Sequence, residues 1–218
     1  MEFTRCKFAG ASEINAFIQE LYVKDSLNAN VFKLSLKETR KLTFEGTINN
    51  GKFCFANFPM CIEAILRSTL ESPQEIAQLL MLKENFRQSG ECENEDACHL
   101  QYHRLLTKCE KNVLMKVGRY ILDGISGYGT KPLRMLFFIF ISILLFGTLY
   151  YFAPCFAFHG ANTWIEHVYT SGITFFAVGY GDLFPLNTMT KMLSLIEAFW
   201  GLSATSYFLV VLSRKVIR

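Results

Sequence analysis

The sequence predicts an α-helical membrane protein: two spanning helices with a re-entrant helix and loop between them, behind a small N-terminal cytoplasmic domain that is partly β-solenoid-like and partly helical. Three observations predict this. Residues 133–153 are almost wholly apolar, and about 20 such residues cross a bilayer as a helix. A second long apolar run covers 190–217. Between them, 164–176 is too short to span and carries Glu166 and His167, which fits a helix that dips into the membrane and returns. The whole chain is 51% hydrophobic with a mean hydropathy of +0.22, unusual for a soluble protein.

Charge gives the orientation. Up to Thr130 the Lys/Arg and Asp/Glu residues balance, so the net charge of +3 arises beyond it, where Lys131, Arg134, Lys191, Arg214, Lys215 and Arg218 face only Glu166, Asp182 and Glu197. The cations cluster at the ends of the apolar runs. This predicts cytoplasmic N- and C-termini and argues against nucleic-acid binding. Without an Arg-rich span, no voltage sensor is expected. The start, Met1-Glu2-Phe3-Thr4-Arg5, lacks an apolar run, so no signal peptide is expected. Cys6, Cys54, Cys61, Cys92, Cys98 and Cys109 precede the first span and are expected to be reduced thiols, while Cys155 alone falls on the outer side. No nucleophile–base pair or phosphate-cradling loop stands out, so neither an enzyme nor a bound cofactor is expected.

The chain divides into 1–60, 61–130 and 131–218. In the first segment Phe3 and Phe8 stand five apart, as do Ile48, Phe53 and Phe58, with Cys6, Gly46, Gly51 and Ala56 two residues before several large apolar positions. This pattern resembles pentapeptide-repeat proteins, which implies a short, degenerate, square parallel β-solenoid whose coils bury their faces against each other. The alternative is an irregular β-rich cap. The period lapses over 11–45, where 13–20 reads as helical. Residues 61–70 and 73–89 read as helices, 91–96 as an acidic loop, and 97–125 as one helix. The last part of that helix is amphipathic, with Lys111, Lys116 and Arg119 beside it, and suits either the inner membrane surface or a packed hairpin. Gly127-Tyr128-Gly129-Thr130 reads as a flexible connector, with Pro132 in the first turn of the first span.

The stretch that carries function is Thr174-Phe175-Phe176-Ala177-Val178-Gly179-Tyr180-Gly181-Asp182. Stripping water from a cation requires several oxygens aimed along one line, and backbone carbonyls supply them if successive peptides point inward. That needs alternating left- and right-handed dihedrals, which glycine adopts without strain. Four copies about an axis would stack rings of carbonyls in place of a hydration shell.

Val178-Gly179-Tyr180-Gly181-Asp182 resembles the filter signature of potassium channels, and the flanking spans and short helix fit the two-transmembrane-helix branch of that family. The resemblance covers Pro132 to Arg218. It implies a homotetramer in a cell inner membrane, with spanning helices at 133–153 and 190–217, a pore helix at 164–176 and a filter at 177–182. Permeant K⁺ would be held by Ala177, Val178, Gly179, Tyr180 and Gly181, with no other metal, and Asp182 would stand at the outer mouth. The alternative is a non-selective monovalent cation channel of the same architecture. Ala177 stands where the family usually has threonine, so the innermost site lacks a ring of hydroxyls. Filter support is assigned to Tyr169, Thr170, Ile173 and Thr174, where only half of the family's aromatic cuff remains.

In the second span Gly201 is read as a gating hinge, with close helix packing as the alternative. Leu202, Thr205, Leu209 and Ser213 follow helical spacing as cavity-lining positions, and Leu209 or Ile217 would form the constriction. Glu197, the one acid within a span, is expected to hydrogen-bond the pore helix near Ser171 or to add negative charge near the cavity. Two ion-binding readings are set aside. Cys92, Cys98, His99, His103 and Cys109 lack paired zinc-ligand spacing. Glu91, Glu93, Glu95 and Asp96 lack the ligand order of a calcium loop. The sequence names no regulatory ligand or protein partner.

Overall fold

The computed structural model describes residues 1–37, 39–56, 62, 65, 72–153 and 155–216. Phe58, the helix expected over 61–70 (apart from Ile62 and Ile65) and Ile217 lie outside the described residues. The chain forms two compact units, Met1–Asp123 and Gly124–Arg218.

Among the described residues the first unit begins with nine short strands: β1 (Glu2–Thr4), β2 (Lys7–Phe8), β3 (Ser12–Phe17), β4 (Glu20–Lys24), β5 (Leu27–Asn28), β6 (Val31–Lys37), β7 (Lys41–Glu45), β8 (Ile48–Asn49) and β9 (Lys52–Phe55). They form three parallel sheets, β1-β4-β7, β2-β5-β8 and β3-β6-β9, as in a solenoid. Glu2 pairs with Tyr22 and Tyr22 with Thr43, so one coil takes 20 or 21 residues. Parallel register stacks like on like: Phe3 on Val23 on Phe44, Leu21 on Leu42, Phe32 on Phe53. Most of these are buried, and burying each such side chain contributes roughly 1.5–3 kcal/mol. The coils also share a corner. Arg5, Asp25 and Gly46 follow aligned strand ends and all have positive φ (54°, 47° and 59°).

The structure corrects the reading of 13–20 as helical, since β3 and β4 occupy that stretch. Leu21 and Val23 alternate inward with period two and stack on the next coil, so tertiary pairing overrides local propensity. Among the described residues the strands fall into three sheets, and the longest strands, β3 and β6, run over six and seven residues.

An open coil end would leave strand donors and acceptors without partners. Helix α1 (Ser72–Ser89) covers it. Gln78 Oε1 accepts from Phe44 N at 3.1 Å. Asn85 Oδ1 accepts from Phe53 N at 2.7 Å, and its Nδ2 donates to Phe53 O at 2.9 Å. An asparagine ladder extends inward from this cap: Asn49 donates to Asn85 at 3.0 Å and Asn28 to Asn49 at 2.8 Å. Leu79, Leu82 and Phe86 join the solenoid's apolar core.

The expected acidic loop is instead the first turn of α2 (Cys92–Cys109), where Glu93 and Glu95 complement the positive end of the helix. The single helix expected over 97–125 is broken. Glu110 is extended, and Asn112 Oδ1 accepts from Leu114 N at 3.1 Å, which caps α3 (Val113–Ser126).

The second unit contains α4 (Pro132–Phe152), α5 (Trp164–Phe175) and α6 (Thr188–Val216). Among the described residues, helices α4 and α6 are the two candidate membrane spans. Their most apolar windows have mean hydropathy 2.2 and 1.6, with only 28% and 22% of those windows buried, so the apolar side chains lie mainly outside. A soluble core helix would show the reverse. Asn187 caps α6, its Oδ1 accepting from Thr190 N at 2.8 Å. Strands β10 (Phe158–His159) and β11 (Phe184–Pro185) pair antiparallel and close the loop on both sides of α5.

Gly127-Tyr128-Gly129 is an ordered turn and no flexible connector. All three residues have positive φ. Ser126 Oγ accepts from Gly129 N at 3.1 Å and lies 2.8 Å from the Tyr207 hydroxyl.

Candidate functional site

The loop that follows α5 is held at both ends. Its helix starts at a capping box, in which Thr163 Oγ1 accepts from Glu166 N while Glu166 Oε2 accepts from Asn162 N and Thr163 N, both at 2.7 Å. These backbone donors hold the Glu166 carboxyl below its ordinary range. At the other end the helix carbonyls continue into the loop: Thr174 O accepts from Ala177 N at 3.0 Å and Ile173 O from Val178 N at 2.8 Å.

From there φ alternates in sign. Ala177, Gly179 and Gly181 are left-handed (φ 54°, 62° and 81°), while Val178 and Tyr180 are not. The two glycines take this conformation freely. Ala177 does not, and a non-glycine residue in a sparsely populated region costs roughly 1–3 kcal/mol. That strain was not legible in the sequence.

Tyr169 OH donates to Asp182 Oδ2 at 3.0 Å, which joins α5 to the end of the 177–182 loop. Thr170 is buried, and its hydroxyl donates to Glu166 O at 2.8 Å on its own helix.

Behind the loop, three helices meet at Glu197, which is completely buried. Ser171 of α5 hydrogen-bonds one carboxyl oxygen, and Tyr150 OH of α4 donates to the other. The same Ser171 hydroxyl lies 2.9 Å from Ile143 O. The expected Glu197–Ser171 contact is therefore present, and the sequence reading missed Tyr150.

Two glycines set the helix spacing. A Cβ on Gly201 would lie 2.0 Å from Phe175 O and 2.9 Å from Phe175 Cα, so α6 packs directly against the backbone at the end of α5. This is the close-packing alternative to a hinge, and it gives a sufficient reason for glycine. Gly147 does the same for α4, where a Cβ would meet Val168 Cα at 2.6 Å. Leu202, Leu209 and Ser213 lie exposed on one face of α6, with Thr205 half-buried beside them.

Residues 138–218 match the family model described as "Ion channel". No curated protein and no solved structure gives a match. The matched stretch takes in most of α4 and all of α5, the 177–182 loop and α6, and over it the chain is similar to ion channels.

Proposed function

We propose that this chain is the subunit of a homotetrameric, potassium-selective channel that passes K⁺ down its gradient through main-chain carbonyls of Ala177 to Gly181. One observation carries the reading: left-handed residues alternate at 177, 179 and 181, in a loop framed by a short helix and two membrane-length helices. Alternating backbone handedness turns successive carbonyls to one side, and one chain cannot close a ring of them. Four can.

In this reading Asp182, hydrogen-bonded to Tyr169, attracts cations at the outer mouth. The α5 dipole places its negative end toward the pore. Leu202, Thr205, Leu209 and Ser213 face the cavity. Gly201 keeps α6 against the pore helix, and any hinge action would add to that packing role. Both termini lie in the cytoplasm of a cell whose inner membrane holds the channel, and the solenoid unit is its modulator.

Ala177 favours a second reading, a non-selective monovalent cation channel, because the innermost site has no hydroxyl ring. Reversal potentials of the purified protein in liposomes under opposed K⁺ and Na⁺ gradients separate the two. A value near the K⁺ equilibrium potential supports selectivity, and one near zero supports the second reading. Absence of cation flux, with Gly179→Ala no different from the parent, refutes both.

A further inference from the structure

Tyr150 of α4 is 1% exposed, and its two polar neighbours, Glu197 of α6 and Ser171 of α5, are fully buried. The cluster is costly where it stands, since two hydroxyls and a carboxyl must find partners among apolar helices. Leucine and phenylalanine would fill the same space without that cost. What the polar set adds is direction, because a hydrogen bond fixes a distance and an angle where an apolar contact permits sliding. The two oxygens of Glu197 go to different helices, one to Ser171 and one to Tyr150, so a single carboxyl spaces α5 from α4.

The ring of Tyr150 has a partner of its own. Phe158 of β10 packs edge-on against it with centroids 4.8 Å apart, and Phe156 stands 5.9 Å away. Phe158 is paired with Pro185, and His159 with Phe184, which follows closely on Asp182. Ser171 lies near the end of α5, just before the Ile173 and Thr174 carbonyls that accept from Val178 and Ala177. One side chain thus refers both ends of the 177–182 loop to the same point. The entry is reached through Glu197 and Ser171, and the exit through Phe158 and the β10–β11 pair.

We infer that Tyr150 is a positioning residue for ion discrimination, its hydroxyl setting through Glu197 and Ser171 where the 177–182 carbonyls stand. The inference deepens the channel reading above and rests on it. Whether a ring of carbonyls favours K⁺ over other cations depends on the size of the site and the field of its oxygens. A supporting shell that slackens alters both.

The purified full chain is reconstituted in liposomes, and reversal potentials are read with K⁺ opposed to Na⁺ and with K⁺ opposed to Rb⁺. A reversal potential does not depend on how many channels work, so a variant that merely folds less well lowers flux and leaves the potential in place. Tyr150→Phe keeps the ring against Phe158 and should change the K⁺/Na⁺ or the K⁺/Rb⁺ permeability ratio about fivefold, the order of one buried hydrogen bond. Tyr151→Phe, the same change at the exposed neighbour, should leave both ratios at the parent's values. In a Ser171→Ala background Tyr150→Phe should add little, since the path is already cut. A parent chain without cation flux refutes the channel reading, and this inference falls with it. Parent flux, with Tyr150→Phe ratios equal to the parent's, leaves the channel standing and overturns the inference. Fully additive effects of Tyr150→Phe and Ser171→Ala overturn the route through Glu197.

Discussion

Replacing Gly201 with alanine tests the frame behind the 177–182 loop. The added Cβ would stand 2.0 Å from Phe175 O, against an ordinary contact of about 3.4 Å or more, and the opposing atom is backbone that cannot rotate away. Helix α6 must therefore retreat by roughly 1 Å, or the end of α5 must shift by as much. Overpacking of this kind costs about 1–3 kcal/mol. Helix propensity acts the other way, since alanine is better than glycine within a helix by about 1 kcal/mol. A 2.0 Å contact with backbone puts the clash at the upper end of that range, about 3 kcal/mol, so Gly201→Ala is expected to lose about 2 kcal/mol net. Gly147→Ala should behave alike, because its Cβ would meet Val168 Cα at 2.6 Å. The assay is thermal or denaturant unfolding of the detergent-solubilised chain, with ion flux in liposomes measured in parallel. Phe175 lies two residues before Ala177, so the retreat should also alter flux. A Gly201→Ala protein as stable as the parent, or more so, would refute the packing argument. With reduced flux as well, it would return the glycine to a hinge role.

Other measurements bear on separate parts of the chain. Glu197→Gln can still accept from Tyr150 and meet Ser171, so it should stay close to the parent in unfolding midpoint. Glu197→Leu removes the acceptor of the Tyr150 hydroxyl and leaves Ser171 only Ile143 O, and should lose about 1–3 kcal/mol, with Tyr150→Phe and Ser171→Ala losing less. Asn85→Leu strands Phe53 N, Phe53 O and Asn49 at the solenoid cap and should cost about 3 kcal/mol, read as faster amide exchange at Phe53. Cys98 should resist maleimide at pH 8 while the exposed Cys109 reacts, because burial, aided by Glu95, pushes the Cys98 thiol up to about 12. The sign follows. The folded pKa lies above the unfolded value of about 8.5, so the stabilisation of the neutral thiol is complete below that pH and is lost as pH rises toward 12.

Much of the second unit was legible in the sequence because its signals are local and strong. Apolar length marked α4 and α6 to within two residues at each end among the described residues, and the short polar-capped run marked α5. Glu197 declared itself as an acid in an apolar helix. Tyr150 did not, since tyrosine is common near membrane interfaces and its partner lies 47 positions away. The left-handed Ala177 was hidden because nothing about alanine announces positive φ. In the first unit the five-residue spacing was visible only where phenylalanine recurred. Residues 11–45 keep the coil through stacking on neighbours 20 or 21 positions away, with Val23, Phe32 and Leu34 in place of a fixed motif residue, so local propensity misassigned Glu13 to Glu20 as helix. The break at Glu110–Asn112 was legible in principle, for Asn112 is a good cap before an apolar run, but continuous helical periodicity outweighed it.

The pairing of Phe158–His159 with Phe184–Pro185 closes the polypeptide into a lariat around α5 and the 177–182 loop. Its knot is tightened by the stacked rings of His159 and Phe184, 4.7 Å apart, and by Asn187 donating to Cys155 O at 2.7 Å. The C-terminus of α4 and the N-terminus of α6 are thus strapped to one another, whereas their other ends carry no such strap across the same strands. Those ends are joined differently, through Ser126 Oγ 2.8 Å from the Tyr207 hydroxyl and through the cluster of Met135 and Ile139 with Ala204, so the two long helices are held at both ends of the second unit.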